Sequence, residues 1–138
     1  MKRKTPFAQL DTFTRAYVVA FFFTETPTYV VAFFFTETPD ERRFSGEYVR
    51  PEWDLFPVAD QQRIIQECID FQGAQAAALQ DYPTDRAGHD FLYSRNGHGC
   101  GFWENDFGTE EQCERLQAAA KAAGTRYLER FTGRNYYR

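Results

Sequence analysis

The chain has 138 residues, enough for one domain that buries about 68–70% of the surface exposed by its unfolded form, so folding does not require disulfides or a metal ion. Charged residues make up 26% and hydrophobic residues 43%, which excludes a disordered chain, and the aromatic share reaches 18%. Sixteen basic and twenty acidic side chains leave a net charge of −4, which argues against a nucleic-acid binder that uses its whole surface.

A helix over residues 8–24 is predicted from the helical spacing of Leu10, Phe13, Tyr17 and Phe21. Residues 17–27 then recur letter for letter at residues 29–39, with a period of twelve. Two identical neighbouring copies indicate a recent tandem duplication, since repeat architectures need about three or more units. The duplicated segment, residues 17–40, either enlarges the core or drives formation of a homodimer or domain swap.

The apolar stretch over residues 16–35 has the length of a membrane span, but Glu25 and Pro27 stand in its middle. The three cysteines form no CxxC pair, which excludes a zinc finger and favours a reducing compartment. We therefore expect a cytoplasmic protein that does not contact a membrane.

The elements that follow are predicted from local signals. Residues 40–56 read as a loop with a short strand near Tyr48 and Val49, and an apolar face predicts a helix from about residue 59 to 80. Thr109 with Gln112 forms a capping box at the start of a further helix, which ends at Gly124.

Two hairpins are predicted in the C-terminal half. Residues 90–95 and 100–105 are strand-like runs on either side of Asn96-Gly97, a strong hairpin signal. A second hairpin, or a pair of edge strands, is expected from residues 126–131 and 136–138. The fold class is therefore α+β, a small single domain over residues 1–138 with antiparallel hairpins and helices packed on one face. The residues that support the first hairpin are His89, Asp90, Gly97, Gly99 and Gly101.

The same motif resembles a family of small uncharacterised proteins encoded by bacteriophages, in which the pattern reads AGHDF-W-x-x-RNGHG-x-GFWDR. Here residues 87–91, 95–99 and 101–103 match it, while Leu92 replaces a Trp and Glu104-Asn105 replaces the final Asp-Arg. The resemblance extends to the helix and acidic turn at residues 17–26, which the family carries once, and to Cys68 and Phe71. It implies a phage origin, a host-cell cytoplasmic location and an α+β fold, and it implies no activity.

Candidate chemistry is sparse in this sequence. His89, Asp90 and His98 suggest a metal-dependent hydrolase, but such a site needs several His and Asp ligands, and His89 and His98 are the only histidines in the chain. The alternative is that these residues stabilise the hairpin. Cys100 is either a nucleophile or a buried, inert thiol. The chain has no GxxxxGKS/T, GxGxxG or GxSxG motif. We therefore predict no catalytic residue, no metal and no cofactor.

Binding is the leading functional hypothesis: a phage accessory protein, of the host-takeover or anti-defence type, that binds a host or phage protein. The predicted surface is the first hairpin, with Arg95, Asn96, His98 and Trp103. An alternative is single-stranded nucleic acid or RNA held by the C-terminal arginines and aromatic residues. A third reading makes that segment an ordinary edge strand whose arginines discourage pairing. The arginines in question are Arg126, Arg130, Arg134 and Arg138, and together with the neighbouring aromatic residues they equally suit a protein interface.

Overall fold

The computed structural model describes residues 3–25 and 49–138, which form an α+β fold of helices and a two-stranded antiparallel sheet. The elements are α1 (Thr12–Glu25), α2 (Arg50–Asp54), α3 (Val58–Ala74), α4 (Thr84–Arg95), α5 (Glu110–Ala122), β1 (Leu128–Phe131) and β2 (Arg134–Tyr137), with 3-10 turns at Phe7–Gln9 and Phe102–Glu104. The predicted fold class is confirmed. The second copy of the repeat lies outside the described residues, and so do the predictions about its conformation and about self-association through it.

Helix α1 occupies the centre of the core because its apolar residues continue around most of its circumference. Residues 16–22 are all at most 7% exposed, as expected for a helix that is apolar on every side. Its first turn is capped by Asp11, whose Oδ1 accepts from the Thr14 amide at 2.7 Å. The helix predicted over residues 8–24 is thus confirmed, with a 3-10 turn before it.

A glycine lets α4 approach α1 closely. A Cβ at Gly88 would overlap the carbonyl oxygen of Phe13 and the side chain of Ala16. Beside this crossing, the rings of Phe71 and Phe91 stack with centroids 4.1 Å apart, and Phe13 lies about 6 Å from both. The Gly of the AGHDF motif is therefore a packing residue.

The segment before α3 differs from its prediction. Val49 directly precedes α2 and is not part of a strand, while Tyr48 lies outside the described residues. Trp53 and Phe56 are fully buried, because α2 folds back onto the core. Helix α3 ends at Ala74, earlier than predicted, and residues 75–82 continue as turns and a bend.

The predicted hairpin over residues 90–105 is wrong, because residues 90–95 form the last part of α4. The helix ends in a Schellman motif: the amide of His98 donates to Tyr93 O at 2.9 Å, and the amide of Gly97 donates to Ser94 O at 3.4 Å. Gly97 has φ +71°, whereas Asn96 keeps a helical φ of −94°, which a type I′ turn does not allow. The Asn-Gly pair is compatible with a Schellman motif and with a type I′ turn, since each requires a left-handed Gly. The helix forms here because its aromatic face is buried.

The C-terminal elements match their predictions. Thr109 and Gln112 form the expected capping box of α5, and Gly124 follows that helix with φ +81°. Strands β1 and β2 pair antiparallel around Thr132-Gly133, with Leu128 opposite Tyr137. Within the described ranges, no helix is both long and apolar enough to cross a membrane.

Candidate functional site

Arg95, predicted on an exposed hairpin, lies inside the protein with 3% of its surface exposed. Its Nε and Nη2 donate to Gly124 O at 2.7 Å and Ala123 O at 2.9 Å, so the guanidinium binds the negative end of α5. Nη1 faces the Glu67 carboxylate at 2.9 Å and the hydroxyls of two tyrosines. Every donor group of Arg95 is therefore engaged inside the fold, and the residue is structural.

Glu67 forms the negative centre of this buried cluster. Its Oε1 also accepts from the hydroxyl of Tyr137 at 2.5 Å, and its Oε2 accepts from Nε of Arg126 at 2.9 Å. Burial alone would raise the pKa of this carboxyl, but the hydrogen bonds from Arg126 and Tyr137 and the charge of Arg95 outweigh burial, so the pKa lies below its ordinary value. We call Tyr17, Glu67, Arg95, Arg126 and Tyr137 the arginine hub. Its members come from α1, α3, α4, β2 and the segment before β1.

The side-chain amide of Asn96 forms two hydrogen bonds with the backbone of Arg126, as a neighbouring strand would. Its Oδ1 accepts from the Arg126 amide and its Nδ2 donates to the Arg126 carbonyl, both at 2.9 Å, and Nδ2 also reaches Glu25 Oε1 at 3.0 Å. His98 lies next to this contact, with Nε2 at 4.0 Å from Glu25 Oε1, and its ring meets the Tyr93 ring edge-on. The two residues therefore tie the end of α4 to the end of α1 and to the start of the hairpin.

The remaining motif residues order the α4 region. The hydroxyl of Tyr82 donates to Asp90 Oδ2, whereas Oδ1 is buried and has no hydrogen-bond partner among the described residues. Burial raises the pKa of this carboxyl. Gly101, at φ +145°, sits against the Ser94 hydroxyl, which in turn accepts from the Phe102 amide at 3.0 Å. Gly99 is exposed and has open space where a side chain would be. Asp90 and Gly101 thus support the end of a helix, whereas the sequence predicted that they support a hairpin.

Trp103 is on the surface, with 50% of its area exposed. It borders a groove of about 390 Å³ against α5, whose other walls include Gln117 and Lys121. Arg95 is buried, and the Asn96 amide is engaged with Arg126 and Glu25. The four residues predicted as one binding surface are therefore not brought together as a surface.

The described residues hold no group of three or more His, Cys, Asp or Glu side chains that could bind a metal ion. His89 lies on α4, whereas His98 lies past the end of that helix, within its Schellman motif, and faces Glu25. Burial raises the pKa of the Cys100 thiol, so its thiolate fraction at neutral pH is small. The structure thus gives the hydrolase and nucleophile hypotheses no supporting geometry.

Three of the four C-terminal arginines make ion pairs within the fold. Arg126 pairs with Glu67, Arg130 with Glu52 at 2.8 Å, and Arg138 with Glu129 at 3.1 Å. Arg134 is exposed and forms no ion pair with another described residue. Little free positive charge therefore remains on this segment.

The two edges of the hairpin differ. The outward groups of β2 are covered: the Asn135 amide donates to Leu55 O at 3.1 Å, and the Tyr137 amide donates to Asp60 Oδ2 at 3.0 Å. Tyr127 and Arg138 exchange both backbone hydrogen bonds, so the outward positions of β1 are Leu128 and Arg130. The backbone groups of these two residues have no hydrogen-bond partner in the part of the chain that the structure describes.

One face of the hairpin presents aromatic side chains to solvent. Tyr127 is 53% exposed and Phe131 65% exposed, and the register places them on the face that also carries Tyr136. The Arg138 guanidinium lies over the Tyr136 ring at 4.9 Å from its centroid. We call this face, together with the unpaired outer edge of β1, the hairpin surface.

Comparison of the chain with models of known protein families, with curated proteins and with solved structures finds no match. Function must therefore be inferred from geometry. Sequence reasoning identified the C-terminal arginines and aromatic residues but missed Glu67, Tyr17 and Tyr137, which lie far apart in the chain. The sequence signal for them was weak: Glu67 is an acidic residue next to Cys68 on the apolar face of α3.

Proposed function

We propose that this protein acts by binding another protein, whose extended segment pairs with the outer edge of β1. The observation that carries the proposal is the hairpin surface: an unpaired strand edge flanked by two exposed aromatic side chains. The resemblance to phage-encoded proteins supports an accessory role in which the partner is a host or phage protein.

The edge has the geometry for strand addition. Leu128 and Arg130 each present one amide and one carbonyl outward, so a partner strand can form up to four backbone hydrogen bonds. Asn96 already occupies the equivalent groups of Arg126. The partner segment is therefore short and begins next to Asn96.

The exposed aromatic residues supply contact area and anchoring. Tyr127 and Phe131 are four residues apart on one strand face, about 13 Å from Cα to Cα, with Glu129 between them. Aromatic residues are enriched among the side chains that dominate interface energetics. Two such anchors on either side of the unpaired edge suit a partner with two apolar residues on one face.

Charge plays a minor part in the choice of the partner segment. Residues 126–138 carry four arginines and one glutamate, but Glu67, Glu52 and Glu129 pair with three of the arginines. Arg134 forms no ion pair with another described residue, so it can accept one acidic side chain of the partner.

The ion pairs of the C-terminal arginines favour a protein over a nucleic acid as the partner. Phosphate contacts need cations that are free to release counterions, whereas Arg126, Arg130 and Arg138 already face carboxylates. Only aromatic stacking and Arg134 would remain for a single strand. The nucleic-acid alternative is therefore kept as an outcome of the experiment.

Strand addition at the outer edge of β1 can be tested by substitutions at Arg130. Arg130→Pro removes the outward amide and leaves the β1–β2 ladder intact, because edge positions with a solvent-facing N–H accept proline. Arg130→Ala is the matched control, since it removes the same side chain but keeps the amide. A partner captured from nuclease-treated bacterial lysate should bind Arg130→Pro about tenfold more weakly than Arg130→Ala.

Equal affinity of the two folded variants would contradict strand addition. A selection of random peptides on the protein provides a second test, in which extended sequences with two apolar residues on one face should be enriched and should lose binding to Arg130→Pro. Material that is lost on nuclease treatment or in moderate salt would favour nucleic acid instead.

A further inference from the structure

A second surface feature is independent of the hairpin. A cavity of about 280 Å³ lies where α1, α4, the first 3-10 turn and the start of α2 meet. Its apolar wall includes Phe7 and Val19, and its polar groups are Thr12, Arg15, Arg50, Asp85 and His89. We call it the Arg15–Arg50 cavity.

The cavity has an excess of positive charge. Two guanidinium groups face it against the single carboxylate of Asp85. Within the described part of the chain, neither Arg15 nor Arg50 forms an ion pair. Arg15 is oriented by long contacts of 3.5 Å to Ala8 O and to Thr12 Oγ1. The charge of Arg15 also acts on Asp11, whose pKa it helps to lower. On a protein of net charge −4, two arginines at one cavity that form no ion pair with a described residue indicate an anionic ligand.

The AGHDF motif contributes one residue to the lining of the cavity. Its other residues serve the core: Ala87 and Phe91 are buried, Gly88 contacts α1, and Asp90 accepts from Tyr82. His89 instead lines the cavity, four residues after Asp85 on the same face of α4. Its imidazole therefore reports on whatever occupies the cavity.

We propose that the Arg15–Arg50 cavity binds a small organic phosphate, with the phosphate between Arg15 and Arg50 and the organic part against Phe7 and Val19. A phosphate carries a charge of about −1.5 to −2 at pH 7, which matches two guanidinium groups better than the single charge of a carboxylate does. The apolar wall adds affinity in proportion to the ligand surface it removes from water. This site lies apart from the hairpin surface and serves a different kind of ligand.

The probe for the test is phenyl phosphate, titrated calorimetrically into the full chain at low ionic strength. The wild type should bind it saturably, inorganic phosphate should bind more weakly because it lacks the ring, and benzyl alcohol should not bind. Arg15→Gln and Arg50→Gln should each weaken phenyl phosphate binding by at least about tenfold. Arg115→Gln, at an exposed position of α5, is the matched control and should leave the affinity unchanged.

Three results would overturn the proposal. The first is the absence of saturable binding at millimolar phenyl phosphate, and the second is equal affinity in a folded Arg15→Gln/Arg50→Gln double variant. The third is an equal loss in Arg115→Gln, which would show nonspecific attraction. Histidine side-chain chemical shifts supply a readout that does not depend on heat: addition of phenyl phosphate should shift the His89 resonances in the wild type and not in the double variant.

Discussion

The guanidinium of Arg95 lies 2.9 Å from the carboxylate of Glu67, and the arginine side chain is only 1% exposed. This pair joins α3 to α4 at the point where α5 ends and where Tyr137 of β2 enters the core. A buried charge is tolerated only while its partners are present. Single substitutions within the arginine hub are therefore expected to be strongly destabilising.

Removing the Arg95 charge should strongly destabilise the protein. Arg95→Met is expected to lower the free energy of unfolding by about 3–5 kcal/mol, because Glu67 and the last carbonyls of α5 lose a buried partner. Urea unfolding followed by circular dichroism measures this change. Arg115→Met, an exposed arginine on α5, should change stability by about 0.5 kcal/mol or less. Equal effects of the two substitutions would show that the hub contributes no stability.

Asp90 should make stability depend on pH in an unusual direction. Burial raises the pKa of Asp90 above its unfolded value of 3.8, so the stability this group contributes is full at acid pH and is lost as the pH rises through the folded pKa. Asp90→Asn keeps the shape and cannot ionise, so its stability relative to the wild type should increase between acid and neutral pH. Urea unfolding at several pH values measures this difference, with Asp85→Asn as an exposed control on the same helix. A difference that does not change with pH would contradict the expectation.

The end of α4 allows a paired test of its glycines. Gly97→Ala should destabilise by about 1 kcal/mol, because a side chain is strained at φ +71°. Gly99→Ala should have little effect, since its position is exposed and has open space for a Cβ. Thermal unfolding of both variants tests whether residue 97 adopts the left-handed conformation with which α4 ends. If the two substitutions had the same effect, residue 97 would not be left-handed.

Deleting one copy of the repeat should leave the described core unchanged. Removal of residues 17–28 and removal of residues 28–39 produce the same protein, because the copies are identical and each deletion leaves Pro followed by Asp40. The connection between Glu25 and Val49 then has 11 residues instead of 23, still about 36 Å when extended. We expect a folded monomer, as judged by circular dichroism and light scattering. An oligomer of unchanged size would refute a role of the duplication in association, and an unfolded chain would show that the core needs both copies.

Local signals in the sequence were sufficient for the elements that depend on neighbouring residues. The capping box of Thr109 and Gln112 and the left-handed Gly124 bound α5 as predicted. The Asn96-Gly97 pair was ambiguous, because a Schellman motif and a type I′ turn both use it, and only the burial of Phe91 and Leu92 against α1 favours the helix. The role of Arg95 could not be derived, since its partners Tyr17, Glu67 and Tyr137 are separated by up to 120 positions. The hairpin surface was partly accessible to prediction, because its arginines and aromatic residues alternate within thirteen residues, whereas their ion pairs with Glu52 and Glu67 depend on the fold.

The spread of the arginine hub along the chain has a consequence for how the protein forms in the cell. Tyr17 emerges from the ribosome early, but the hydroxyl that it contacts belongs to Tyr137. Until residue 137 has left the exit tunnel, Arg95 and Glu67 lack that partner and the aromatic face of α1 lacks its cover from β2. The nascent chain must therefore carry a Phe-rich segment without its full core until the hairpin has left the tunnel, and the native fold closes only after that point.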